Sequence, residues 1–204
     1  MDRARVSILR DLLAGTGWVE RTRQFGRALQ HAPHDPGGLL VVGTPTEEPW
    51  HFAAHLDDEA RWSSLPNLAP VLVRWAPPTD APAHLSIGLE RLEHVRRGET
   101  VFVVAADQTT APLLERVADA RKLGATVFAM ESDDRELASL AHEALIVPAH
   151  ADEGIVVPEF DVVSHLVSSA AGETRADRKS GRFAVVRERL ARLLDAVGDS
   201  DESR

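Results

Sequence analysis

Short, uninterrupted apolar runs separated by stretches of helical periodicity constrain this 204-residue chain more than any other feature. The runs are LLVV at 39–42, a segment over Ala69–Trp75, VFVVAA at 101–106, Thr126–Met130 and Ala144–Val147. They do not alternate apolar with polar residues, so each strand must be covered on both faces. The stretches between them have helical spacing. Pro49 opens a helix carrying Trp50, Phe52, Ala53, Ala54 and Leu56, and residues 84–96 place Leu85, Leu89, Leu92 and Val95 on one face. Residues 112–123 and 134–142 give two more helices. Strands and helices in this order predict an α/β fold, a three-layer doubly wound parallel sheet.

Elaborations flank that pattern. Helices are expected over 4–14 and 18–30, parted at Gly15-Thr16-Gly17, and HAPHDPGG links them to the core. After Pro148 an acidic, extended stretch leads to a helix over Phe160–Ala171, then a polar stretch, then a helix over Phe183–Val197. The stripe of Val185, Val186, Leu190, Leu193 and Leu194 on that last helix can dock on a second copy of the chain or on the amino-terminal helices. The tail GDSDESR reads as disordered. The expected organisation is one compact domain: helices in 1–32, an α/β core in 33–172, and a final helix with its tail in 173–204.

Charge and composition exclude several functions. The chain has 32 acidic against 23 basic residues, a formal net charge of −9, and its basic residues are scattered. Nucleic-acid binding requires a positive face to neutralise phosphates, and none is concentrated here. The apolar runs are far too short to cross a bilayer, and the first fifteen residues lack the continuous apolar core of a secretory signal. With no cysteine, disulfides and thiolate chemistry are excluded, and the cytoplasm is the expected compartment.

The stretch GETVFVVAADQTTAPLLERVADARKLGATVFAMES, followed by LASLAHEALIVPA, resembles the core of the sugar isomerase (SIS) domain. GGLLVVGTPTEEPWHFAAHL looks like that family's first strand, glycine-rich loop and helix, with Gly43 at the glycine that ends the strand. The resemblance spans roughly residues 18–170 and implies a carbohydrate derivative, sugar or phosphosugar, bound at the carboxyl edge of the sheet. The implied ligand positions are Gly43, Thr44 and Thr46 in the first loop and Asp107, Gln108, Thr109 and Thr110 in the second. It also implies a homodimer and, for an enzyme, aldose–ketose isomerisation of a sugar phosphate, with His51, His165 and Glu47 as acid–base candidates. A non-catalytic regulatory or structural dimer is the competing class.

Both loops depart from the family's anion cradle. Where the family carries Ser-Thr-Ser-Gly-Asn-Thr, this chain has Ala105, Ala106, Asp107, Gln108, Thr109 and Thr110. The first loop carries Pro45, Glu47 and Glu48 in place of a Gly-Gly-Ser type sequence. Carboxylates beside a dianion repel it, so the expected ligand is neutral, cationic or metal-bridged. Two roles are open to Thr109 and Thr110: ligand contact, or capping of the helix that follows.

One constellation points to a metal. HFAAH sets His51 and His55 one helical turn apart, a spacing that metal-binding pairs use. Phosphoheptose isomerases of the SIS family carry His-x-x-x-Glu on the corresponding helix and a further His on the last core helix, and some of them bind zinc. The resemblance thus implies zinc or another divalent metal at His51, His55 and His165, with His55 in place of the Glu. The flanking Val162, Val163 and Leu166 make a hydrogen-bonded core histidine the other reading of His165.

Overall fold

The computed structural model describes residues 16–150 and 157–173, together with Leu13. The helices expected over 4–14 and 183–197, and the tail, lie outside the described residues.

The core is a five-stranded, wholly parallel sheet in the order β2-β1-β3-β4-β5. Its strands are β1 (Leu39–Val42), β2 (Pro70–Val73), β3 (Thr100–Ala105), β4 (Thr126–Glu131) and β5 (Glu143–Ile146). The helices are α1 (Trp18–His31), α2 (Trp50–Trp62), α3 (Ala111–Lys122), α4 (Arg135–Leu140) and α5 (Phe160–Ala171). This is the doubly wound α/β architecture that the apolar runs predict and that the SIS resemblance implies.

Alternate residues of the inner strands β1, β3 and β4 feed two separate cores, as the pleat requires. Leu39, Val41, Phe102, Val104, Phe128 and Met130 meet Phe25 and Leu29 of α1, Phe52 and Leu56 of α2, and Val163 and Val167 of α5. Leu40, Val42, Val101, Val103, Val127 and Ala129 meet Leu113 and Val117 of α3 and Leu137 of α4 on the other face. The contiguous apolar runs therefore arise because both faces of the sheet are covered.

The helix expected over 84–96 does not form. The segment makes two 3₁₀ turns, Ala83–Leu85 and Leu89–His94, separated by extended backbone at Gly88. Arg74 N–H donates to the Ile87 carbonyl at 2.8 Å, and Arg74 pairs with Gly88 in a parallel bridge. This extended pairing breaks the helix in its middle, and helical spacing alone could not reveal it. Strand β2 is correspondingly shorter than expected, four residues rather than the whole of Ala69–Trp75. No helix among the described residues is long and apolar enough to cross a membrane.

Candidate functional site

Loops after β1 and β3 emerge side by side at the carboxyl edge of the sheet. The Thr46 hydroxyl reaches the Asp107 carboxylate at 3.5 Å, so the two stretches singled out in sequence meet at the point where strand order reverses. A narrow cleft of about 70 Å³ opens there between α2 and α5. Its walls include Glu47, His51, His55, Ala106, Asp161 and His165.

The first loop is held by its own bonds. Gly43 is required by close approach: a Cβ there would lie 2.2 Å from the Glu47 carbonyl and 2.6 Å from Pro49 Cδ. Buried Thr44 receives the Glu47 N–H on its hydroxyl at 3.2 Å, and its hydroxyl also meets that of Thr46 at 3.0 Å. Glu48 is committed elsewhere. Its carboxylate pairs with Arg74 Nε at 2.9 Å and accepts from the Trp50 indole N–H at 2.9 Å and the Trp75 backbone N–H at 3.1 Å. Glu47 is exposed and lines the cleft.

The second loop spends its donors within the chain. Ala105 ends β3 with its side chain in the core shared with α3, so only Ala106 faces the cleft. Asp134 takes both donors of Thr109, the N–H at 2.8 Å and the hydroxyl at 2.6 Å. Its other oxygen caps α4 through the Leu137 N–H at 3.0 Å. Burial works to raise the Asp134 carboxyl, but the bonds from Leu137 and Thr109 outweigh it and hold it below the usual carboxylate range. Gln108 donates to the Asp133 carbonyl at 3.2 Å, and Asp107 is exposed. Thr110 stands at the start of α3 without a side-chain cap, its hydroxyl buried and unpartnered. Neither threonine therefore caps α3 through its side chain.

The three histidines converge. His51 and His55 lie one turn apart on α2, and α5, docked on α2 by Val163 and Val167, presents His165 to both. Ring centroids are 4.5 Å apart for His51 and His55, 5.0 Å for His51 and His165, and 4.5 Å for His55 and His165. One ring nitrogen from each lies within 4.8 Å of the others. His55 Nε2 and His165 Nδ1 are buried and have no hydrogen-bond partner. Burial pushes His55 down to about 4, with the charges of His165 and His51 acting in the same direction. Burial, and then His51, also lowers His165, against the opposing pull of Asp161. Both imidazoles are therefore neutral near pH 7 and keep a lone pair free for a Lewis acid.

Sequence reasoning missed Asp161, Ser164 and Phe160, which line the cleft from α5, and Asp134, which governs the second loop. An Asp at the start of a helical stretch was the available signal for Asp134 as a cap, but nothing local reveals its bond to Thr109.

No protein-family model matches the chain, and no curated protein does. Among solved structures, the chain is similar to the sugar isomerase domain of an RpiR transcription factor from Sphaerobacter thermophilus, at 12% identity and a TM-score of 0.48, over 94% of this chain and 99% of that one. It is also similar to a candidate sugar-binding protein from Salmonella typhimurium LT2, at 14% identity and a TM-score of 0.44. That match covers 85% of this chain and about half, 52%, of the other. At these values neither likeness bears on what this chain binds.

Proposed function

We propose that the chain binds a divalent transition metal through His51, His55 and His165, and that the adjoining cleft takes a neutral carbohydrate derivative through its hydroxyl or carbonyl oxygens. The observation that carries this reading is the convergence of three imidazoles from two helices, with His55 Nε2 and His165 Nδ1 buried and unpartnered. Buried polar atoms ordinarily find partners, and each that does not calls for an explanation. Three nitrogens suit zinc, copper, iron or nickel, and zinc is the simplest fit. Such an ion supplies Lewis acidity toward a bound oxygen.

The remaining residues define what can share the cleft. Glu47 and Asp161 line it, Asp107 follows Ala106 in the second loop, and the Thr44 backbone N–H and both donors of Thr109 are already engaged. A bare phosphate monoester meets carboxylates there rather than donors, whereas hydroxyl groups can donate to those same carboxylates. If the protein turns its ligand over as an aldose–ketose isomerase, Glu47 is the one of the three acid–base candidates left to move a proton once His51 and His165 hold the metal. A homodimer and a cytoplasmic location belong to the same reading. Exposed Trp50 and Trp62 on α2 offer apolar area to a second copy, and the absence of cysteine suits a reducing compartment.

Titration of metal-free protein with cobalt(II) tests the site. One equivalent should give visible bands of a low-coordinate nitrogen site, and zinc should displace it. His55→Ala and His165→Ala should each weaken binding at least 100-fold. Absence of binding, or unchanged binding by the doubly substituted protein, would sink the reading.

A further inference from the structure

At the opposite edge of the sheet, where the strands begin, the loop before β1 and the segment before β3 enclose a second cleft of about 450 Å³. Its walls include Asp35, Gly37, Arg91, Arg96, Arg97 and Glu99. That volume lies within the range of small-molecule sites, about 300–1,000 Å³.

The charges in the cleft do not cancel. Glu99 is fully engaged: Arg91 Nη2 donates to one carboxylate oxygen at 2.6 Å and the Arg96 backbone N–H to the other at 2.8 Å. The guanidiniums of Arg96 and Arg97 are exposed and make no ion pair or side-chain hydrogen bond among the described residues. Asp35 at the rim is the one carboxylate left among the lining residues. Two free guanidiniums thus line one cleft in a chain with a formal net charge of −9. Gly37, Gly38 and Gly98 bring backbone to the lining, and a Cβ placed on Gly37 would meet nothing within 4 Å.

We propose that this cleft binds a phosphorylated small molecule, with the phosphate monoester held by Arg96 and Arg97 and the organic body lying along the glycine lining. Arginine's planar fork matches phosphate oxygens in pairs, which a lysine ammonium cannot do. A ligand there would touch the amino ends of β1 and β3, the two strands whose carboxyl ends carry the loops of the histidine cleft. The site is independent of the metal reading. Its rival is structural: the Arg97 stem packs over Gly124 just past the end of α3, where a cation favours the helix dipole.

Amide NMR titration of the full chain, without added metal, separates these roles. Glucose 6-phosphate should shift the resonances of Gly37, Gly98 and their neighbours, and glucose should not. Arg96→Ala/Arg97→Ala should weaken that binding at least tenfold, while His51→Ala/His55→Ala should leave it unchanged. Three results would overturn the proposal: no shift at millimolar ligand, equal binding by the arginine variant, or shifts confined to residues 43–48 and 106–110. Inorganic phosphate binding as tightly as glucose 6-phosphate would overturn the assignment to a monoester.

Discussion

Thr109 gives both of its donors, backbone N–H and hydroxyl, to one oxygen of Asp134, at 2.8 and 2.6 Å. An internal carboxylate thus satisfies groups that, on a phosphate-binding turn, an incoming anion would satisfy. Asp134→Ala should free those donors while uncapping α4, at a cost of about 2–3 kcal/mol in denaturant unfolding. Thr109→Val should cost less, about 1 kcal/mol. Equal stability of Asp134→Ala and the unmodified protein would show that the bond is incidental.

Glu131, 1% exposed at the end of β4, accepts the Asp134 N–H at 2.5 Å. Burial raises its carboxyl above the ordinary value; the Asp134 N–H bond opposes that, and the charges of Asp134 and Asp133 add to it. A folded value above the unfolded one means this group stabilises the fold most when protonated. That contribution is present below the unfolded value and fades as pH rises through the folded one. Glu131→Gln keeps an acceptor for the N–H and carries no charge. Its Tm should exceed that of the unmodified protein by about 2–4 °C at pH 8, and the difference should close toward pH 4. A lower Tm at pH 8 would contradict this account.

Zinc should stabilise the protein by mass action. At free zinc about 100-fold above the dissociation constant the gain is about 2.7 kcal/mol, which corresponds to a Tm rise of about 5–10 °C. A chelator should reverse it, and His165→Ala should abolish it. A rise of the same size in the His165→Ala variant would place the ion elsewhere.

Glu48 ties three groups together: the Arg74 guanidinium, the Trp50 indole and the Trp75 backbone. The two charged side chains are only 16% and 15% exposed, so removing one strands the other. Glu48→Ala should cost about 2–4 kcal/mol and loosen the loop after β1. Tryptophan fluorescence should report the change, because Arg74 also lies 4.4 Å over the Trp50 ring. An unchanged spectrum and Tm would show that the clamp contributes nothing.

Local sequence determined where the strands lie. LLVV, VFVVAA and the run at 126–130 can be satisfied only inside a sheet covered on both faces, and the strands form there within a residue or so of the expected limits. The spacing of His51 and His55 was equally legible, since one helical turn makes neighbours of residues four apart. What the sequence could not decide depends on contacts between segments distant along the chain. His165 meets the pair only because α5 docks across α2, and Thr109 bonds an Asp 25 residues away. Residues 84–96 have helical spacing, yet Arg74, ten residues upstream of it, draws Ile87 and Gly88 into extended pairing. Periodicity records which face of a segment is buried. Only the tertiary structure decides what that face meets, because packing of distant elements overrides local preference.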